Sequence, residues 1–493
     1  MLLPFPFINE KPRIYQRHIM GRLLFIQDNG VNENIGVMSI AGMLKADGHD
    51  VDLILTDEHP DYLKLVEDYN PDLIGFSFMT GNRRWAFTTA KKIKDHTGKP
   101  IVFGGVHPTL FPEDIDFSYV DYVCVGEGEH AACELLNGIV NGTDCTRIKN
   151  LWVKDGNEVI KNPVRDLIQD FDSLPLPYRA IYYKYAFIRD LPIKRFISGI
   201  GCPYLCTFCH NPMHIKMFKG HGKFVRKKSV VRVIAEIKDV KDNYVLKRVH
   251  FSDDLFVLNK NWVKEFLEAY RREINLPFSC NIRIDRVNEE MVRDMYESKC
   301  WGMSFGIESG SDRIRNGILK KNLKEEDIIN NSKIIKKYGI KLIITNLMGL
   351  PDETLEEAFQ TVEINQRIQA DYIRANVLVP YPKTGVVDYA IERGLLPDDF
   401  SIHNFDQVMR TALIKSPYSR EFENLCALFN LTVKFPIITP LTRKLVKLPF
   451  SRAFSILRLW EAFENMLYHQ LFNIAGFRYT YHIVRNVIRD VWN

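Results

Sequence analysis

Cys202, Cys206 and Cys209 stand in the run Gly201-Cys-Pro-Tyr-Leu-Cys-Thr-Phe-Cys-His210, separated by three and then two residues. Three soft thiolates on one short loop can hold three irons of a 4Fe–4S cube. Such a cube normally takes four thiolates, so three leave one iron without a protein ligand and open to a small molecule. Two other readings fit the same residues. His210 or His214 could complete a zinc site, or the cysteines could be buried thiols without a metal. The other six cysteines, at 124, 133, 145, 280, 300 and 426, form no second cluster, so one centre is expected. They draw no disulfide framework either, as in a reducing compartment.

An open iron is useful only if a scaffold places it. The cysteine loop follows a short strand candidate, Lys194–Ser198, and alternating helix and strand patterns come after it. Further strand candidates are Arg248–Ser252, Phe278–Ile282, Gly302–Gly306, Lys341–Thr345 and Ile373–Val377. Six such strands predict an incomplete parallel β/α barrel, with its chemistry at the strands' carboxyl ends. Those ends carry Ser252-Asp253-Asp254, then Arg283 and Asp285, then Gly306-Ile-Glu308-Ser309-Gly310-Ser311. They also carry NLMGLPDE from Asn346 to Glu353, and Val379-Pro-Tyr-Pro-Lys-Thr-Gly385. Asp253 and Asp254 are suited to accept from an ammonium, or to cap a helix.

Upstream, strands at Arg22–Ile26, Val51–Leu55, Asp72–Ser77, Pro100–Gly105 and Tyr122–Gly126 alternate with helical patterns at Ile35–Asp47 and Arg84–His96. This predicts a second parallel sheet with its ligand at the carboxyl edge. That edge holds Asn29-Gly30, Ser77-Phe-Met-Thr80-Gly81, Gly104-Gly105-Val-His107-Pro-Thr109 and Gly126-Glu127-Gly-Glu129. Glycine there lets backbone approach a large ligand, and it equally serves a tight turn. Between the two regions, Leu151–Ile160 reads as a hairpin turning at Asp155-Gly156. Asp172–Pro177 reads as an extended connector.

The run GGVHPT followed by DYVCVGEGE, then the cysteine triad and GIESGS, resembles the radical SAM superfamily. The match is to the group, class B methyltransferase-like, whose barrel follows a cobalamin-binding domain. It covers about Arg22–Leu396. The resemblance implies an α/β fold: a Rossmann-like cobalamin-binding domain over 1–140, a linker over 141–194, a partial (β/α)6 barrel over 195–396 and an α-helical region over 397–493. It implies three cofactors: a 4Fe–4S cluster, S-adenosylmethionine (SAM) and cobalamin. Cys202, Cys206 and Cys209 would hold the cluster. Phe208, Asp253, Asp254, Arg283, Glu308, Ser309, Lys320 and Gly349 would meet SAM, with Lys320, twelve residues past Glu308, at its carboxylate. Ser77, Thr80, Gly104, Gly105, His107, Gly126 and Glu127 would meet cobalamin. The chain departs from the pattern twice. Asp28-Asn-Gly30 lacks the histidine that other cobalamin proteins supply to cobalt, and Lys383 stands where relatives often have glycine.

The implied chemistry is reductive cleavage of SAM to a 5′-deoxyadenosyl radical, hydrogen abstraction from an unactivated carbon, and methylation from methylcobalamin. The expected substrate is hydrophobic or a natural product, and the electron donor a flavodoxin or ferredoxin. The rival within this fold is a non-methylating oxidation or cyclisation of a tetrapyrrole-like or lipid substrate. A rival of another class is a cobalamin- or SAM-binding sensor without catalysis. The residues name no general acid or base.

The chain has 493 residues, 46% of them hydrophobic, and a net charge of +5. This is long enough for several cores, and the charge is too mild to argue for nucleic acid. Met1–His18 lacks the apolar stretch of a signal peptide, and no apolar run reaches a membrane span, so a cytoplasmic location is expected. From Leu425 onward nine Lys/Arg face three acids, interleaved with Phe450, Phe454, Trp460, Phe463 and Trp492. This pattern fits peripheral contact with the inner face of a membrane, or a helical subdomain packed on the barrel.

Overall fold

The computed structural model describes residues 19–30, 33–402, 412–449, 454 and 480–481. The chain divides into two compact units. The first comprises Met1–Asp28, Ser39–Phe78 and Arg84–Pro163, and the second Asn29–Met38, Met79–Arg83 and Val164–Asn493.

The first unit holds a seven-stranded sheet. Its strands are β1 (Arg22–Gln27), β2 (Asp50–Leu55), β3 (Leu73–Ser77), β4 (Ile101–Gly104), β5 (Tyr122–Cys124), β6 (Leu151–Asp155) and β7 (Glu158–Lys161). The spatial order is β2-β1-β3-β4-β5-β6-β7. The first five strands run parallel, which matches their near-continuous burial from Leu23 to Ile26 and at Leu73 and Ile74. Order reverses between β1 and β3, the place where sheets of this topology open a ligand crevice. The hairpin expected in a linker instead belongs to this sheet: β6 pairs antiparallel with β5, Tyr122 opposite Val153. Unpaired strand edges expose backbone donors and acceptors, and the hairpin covers the edge of the three-residue β5. The unit therefore runs to Pro163 rather than ending near 140.

The second unit holds β8 (Ile193–Phe196), β9 (Gly199–Ile200), β10 (Arg226–Lys227), β11 (Arg248–Phe251), β12 (Phe278–Asn281), β13 (Cys300–Glu308), β14 (Lys341–Met348) and β15 (Tyr372–Val377). Six of these form one parallel sheet in sequential order from β8 through β11 to β15. The ribbon β9–β10 stands apart as an antiparallel pair. One face of the sheet is apolar. Phe251 and Phe278 meet Phe266 and Tyr270 of the helix Lys260–Glu273 edge-on, at centroid distances of 5.1–6.5 Å. The other face is mixed: it carries Arg195, His250, Ser279, Ser304, Thr345 and Arg374 beside Ile193, Ile343 and Leu347, as strand alternation requires.

The connecting helices start where side chains satisfy their first amides. Ser229, Asn259 and Asn288 accept from the backbone three residues on, and Thr354 with Glu357 forms a capping box. The helix Ser419–Lys434 is buried along most of its length and packs on β15 and the helix Leu355–Arg367. Arg443 then pairs with Glu356 at 2.6 Å. The described start of the basic region thus packs on the barrel. The rest of the expected membrane-contact stretch (450–453, 455–479 and 482–493) lies outside the described residues. Among the described residues, no helix is long and apolar enough to cross a membrane.

Candidate cluster and cofactor site

The cysteine loop begins at Gly201, whose φ of 92° favours glycine. A Cβ there would lie 2.7 Å from the carbonyl oxygen of Phe224. Gly201 N–H donates to Asp254 at 2.9 Å. Further along, Thr207 N–H donates to the Leu319 carbonyl at 3.0 Å and its hydroxyl to that of Ile318 at 2.9 Å. Val386 N–H returns to the Thr207 carbonyl at 3.0 Å. The loop is therefore clamped from three elements.

Asn211 N–H donates to the Cys209 sulfur at 3.5 Å, the kind of bond that tunes iron–sulfur centres. Burial pushes the Cys209 thiol up to about 11, and Cys206 and Cys202 add to the shift, so the three sulfurs sense one another. Burial also lowers His214, to about 4, and its ring lies against Phe218 and Phe224 in an aromatic cluster. Among the described residues no three His, Cys, Asp or Glu side chains converge as ligands of a single ion. Three soft thiolates on one clamped loop fit three corners of a 4Fe–4S cube.

The residues expected at SAM are distributed unevenly. Asp253 is fully engaged: it accepts from Ser198 N–H at 3.0 Å, from Ser198 Oγ at 2.6 Å and from Lys227 at 3.1 Å. It braces the loop, which corrects its reading as an open acceptor for an ammonium. Asp254 is exposed and holds Gly201. Arg283 lies 3.8 Å over the Tyr204 ring, pairs with Asp285 and donates to the Lys321 and Asn322 carbonyls. It ties the cysteine loop to the segment after β13.

Glu308 closes β13 after a register shift and sits at φ 66°. Its Oε1 lies 3.0 Å from Lys321, not Lys320. Lys320 is exposed at φ 48°. The reason is local. Residues Arg313–Ile318 form a π-helix, whose wider turn adds a residue relative to an α-helix and moves the inward position from twelve to thirteen residues past Glu308. Lys321 also lies 5.7 Å over the Phe208 ring, so Phe208, Glu308 and Lys321 form one group. Ser309 is fully buried and its carbonyl accepts from Arg315 at 2.9 Å. Gly349 turns the chain after β14 at φ 67°, and Lys383 sits at φ 69°, the conformation for which relatives often use glycine.

At the edge of the first sheet, Ser77 pairs in register with Gly104. Gly105 has φ 94°, and a Cβ there would lie 2.9 Å from the Phe78 nitrogen. Gly126, also at φ 94°, donates to Thr109 at 3.0 Å. Asn150 donates to the Glu127 carbonyl at 2.8 Å. Thr80 is buried in a short 3-10 turn. The strand ends thus present backbone and small side chains, which fits a large flat ligand. His107 does not join them. It is wholly buried, stacks on Phe111 at 4.9 Å and lies 3.1 Å from Asp114. Its ring is a core group, which corrects its reading as a cobalamin contact.

Comparison with known proteins agrees with this arrangement. Residues 21–136 match the B12 binding domain and residues 196–364 the Radical SAM superfamily. An uncharacterised methyltransferase of Pyrococcus horikoshii is 30% identical over 73% of this chain and 79% of its own. The anaerobic magnesium-protoporphyrin IX monomethyl ester cyclase of Synechocystis is 23% identical over 74% of each chain. The radical SAM methyltransferase TsrM of Kitasatospora setae, solved with tryptophan substrate and a SAM analogue, superposes with a TM-score of 0.64 at 19% identity, covering 76% of each chain. The chain belongs to the radical SAM superfamily, in the group that carries a B12 binding domain. It is an enzyme of that class, and its cofactors are a 4Fe–4S cluster, SAM and cobalamin.

Proposed function

We propose that this enzyme methylates an unactivated carbon of a small natural-product substrate. The observation that carries the reading is the rigidly clamped three-cysteine loop, on a chain that also has a B12 binding domain. When bound, the cluster supplies the electron that cleaves SAM and cobalamin supplies the methyl group. The residues of this chain orient and shield. Cys202, Cys206 and Cys209 would hold three irons. Lys321 would meet the SAM carboxylate, while Glu308 and Phe208 would hold the nucleoside side. The strand ends at Ser77, Gly104 and Gly126 would border the corrin.

The relation to the protoporphyrin ester cyclase keeps a non-methylating reading in play. One experiment separates the two. The reconstituted enzyme is incubated anaerobically with reductant and methyl-labelled SAM, and the nucleoside products are quantified. Methylation predicts S-adenosylhomocysteine beside 5′-deoxyadenosine. Release of 5′-deoxyadenosine alone, with no S-adenosylhomocysteine, would overturn it.

A further inference from the structure

Asp253 and Asp254 hold the two ends of the segment that leads into Cys202. Asp253 accepts from the Ser198 amide at 3.0 Å and from its hydroxyl at 2.6 Å, and Asp254 accepts from the Gly201 amide at 2.9 Å. Between those ends lies β9, two residues long and paired with the two of β10, Gly199 opposite Lys227. A ribbon that short has little stability of its own, so the carboxylates carry the placement.

The two carboxylates differ in setting. Asp254 is exposed, whereas the Asp253 side chain is only 1% exposed. A buried carboxylate needs a counter-charge, and Lys227 supplies it. Its Nζ lies 3.1 Å from Asp253 Oδ1 and donates to the Phe256 carbonyl at 3.1 Å. The ammonium is itself fixed, 4.2 Å from the centre of the Trp262 ring and 4.8 Å from that of Phe256, a seat that favours a cation. Trp262 Nε1 donates to the Lys228 carbonyl at 2.8 Å, and the Lys228 amide to the Ser198 carbonyl at 2.9 Å. A Cβ on Gly199 would fall 2.7 Å from Lys227 Cδ, so the lysine stem lies flush along β9. Cation, aromatic seat, carboxylate and ribbon close on one another.

We infer that Lys227 is a positioning residue for the iron–sulfur loop, acting through Asp253 on Ser198 and so on the approach to Cys202. Its charge carries the role rather than its bulk. The inference rests on the cluster reading of the three cysteines. Removing one partner of a buried ion pair strands the other. Lys227→Met keeps an apolar stem beside β9 and the rings but leaves Asp253 without its cation. Adding Asp253→Asn removes the stranded charge and still offers an oxygen to Ser198.

The test is hydrogen exchange of the Ser198–Cys202 amides in anaerobically purified holoenzyme, with loss of iron to an added chelator timed on the same samples. Lys227→Met should speed both by about tenfold or more, while exchange across β13 and β14 stays as in the parent. The double variant Lys227→Met/Asp253→Asn should recover most of both, a rescue that lost packing against Trp262 would not show. Parent-like exchange in Lys227→Met, or a double variant as fast as the single one, would overturn the inference. Equal acceleration across β13 and β14 would mark a general loss of stability and overturn it as well. Failure of the cluster reading shows separately, as a parent without iron, and the exchange comparison does not depend on the metal.

Discussion

At the residue scale, the account turns on which lysine faces Glu308. Lys321→Met should weaken SAM binding to the reconstituted enzyme by about tenfold or more, whereas Lys320→Met should stay within about twofold. Isothermal titration with SAM reads both, and equal effects would contradict the assignment. Gly306 supports the same pair, since a Cβ there would lie 1.7 Å from Glu308 Oε1. Gly306→Ala should therefore displace the carboxylate and reproduce the Lys321→Met loss. Loop spacing and strand ends are local signals, so the sequence could single out the three cysteines, Phe208, Arg283 and Glu308 as candidates. It could not single out Lys321, because a π-turn leaves no mark in residue spacing. Nor could it show the burial of His107 and the full engagement of Asp253, which depend on partners 7 and 55 residues away.

At the element scale, the turns after β13 and β14 do most of the positioning. Arg315 is fully buried inside the π-helix, and its guanidinium holds the carbonyls of Ser309, Gly310 and Leu323. Gly310 lets the helix Leu355–Arg367 cross against it, since a Cβ would fall 2.3 Å from the Gln360 carbonyl carbon. Gly310→Ala should thus cost about 1–3 kcal/mol, the range for overpacking, read as a lowered urea midpoint. An unchanged midpoint would show that the crossing relaxes freely. Glu353, after β14, accepts from Leu350 N–H at 3.0 Å, and burial pushes its carboxyl from 4.5 up to about 8. Its folded value exceeds its unfolded one, so its protonated form stabilises the fold. That contribution is whole below pH 4.5 and is lost as pH rises through about 8. Glu353→Gln should flatten the decline of the urea midpoint across that window, and parallel curves for parent and variant would refute the shift. All six barrel strands were legible from their alternation. The hairpin β6–β7 was misplaced in a linker because its partner, β5, could be identified only in three dimensions.

At the scale of the whole molecule, two units each present the carboxyl edge of a parallel sheet, one matching the B12 binding domain and one the Radical SAM superfamily. Composition and charge could not reveal this pairing of cofactors; the ordered motifs at successive strand ends did. The basic region after Leu425 stayed ambiguous in sequence because alternating basic and apolar residues serve a barrel-packed helix and a membrane surface equally. Its described part packs on the barrel through Ser419–Lys434 and Arg443. The central claim is that one chain holds an open-sited iron–sulfur cube together with cobalamin. Its most direct test is the iron and cobalt content of protein purified anaerobically from cobalamin-supplied cells. The account predicts about four irons and about one cobalt per chain, with the iron lost in Cys202→Ala, Cys206→Ala or Cys209→Ala. Zinc in place of iron, or iron retained in those variants, would contradict it.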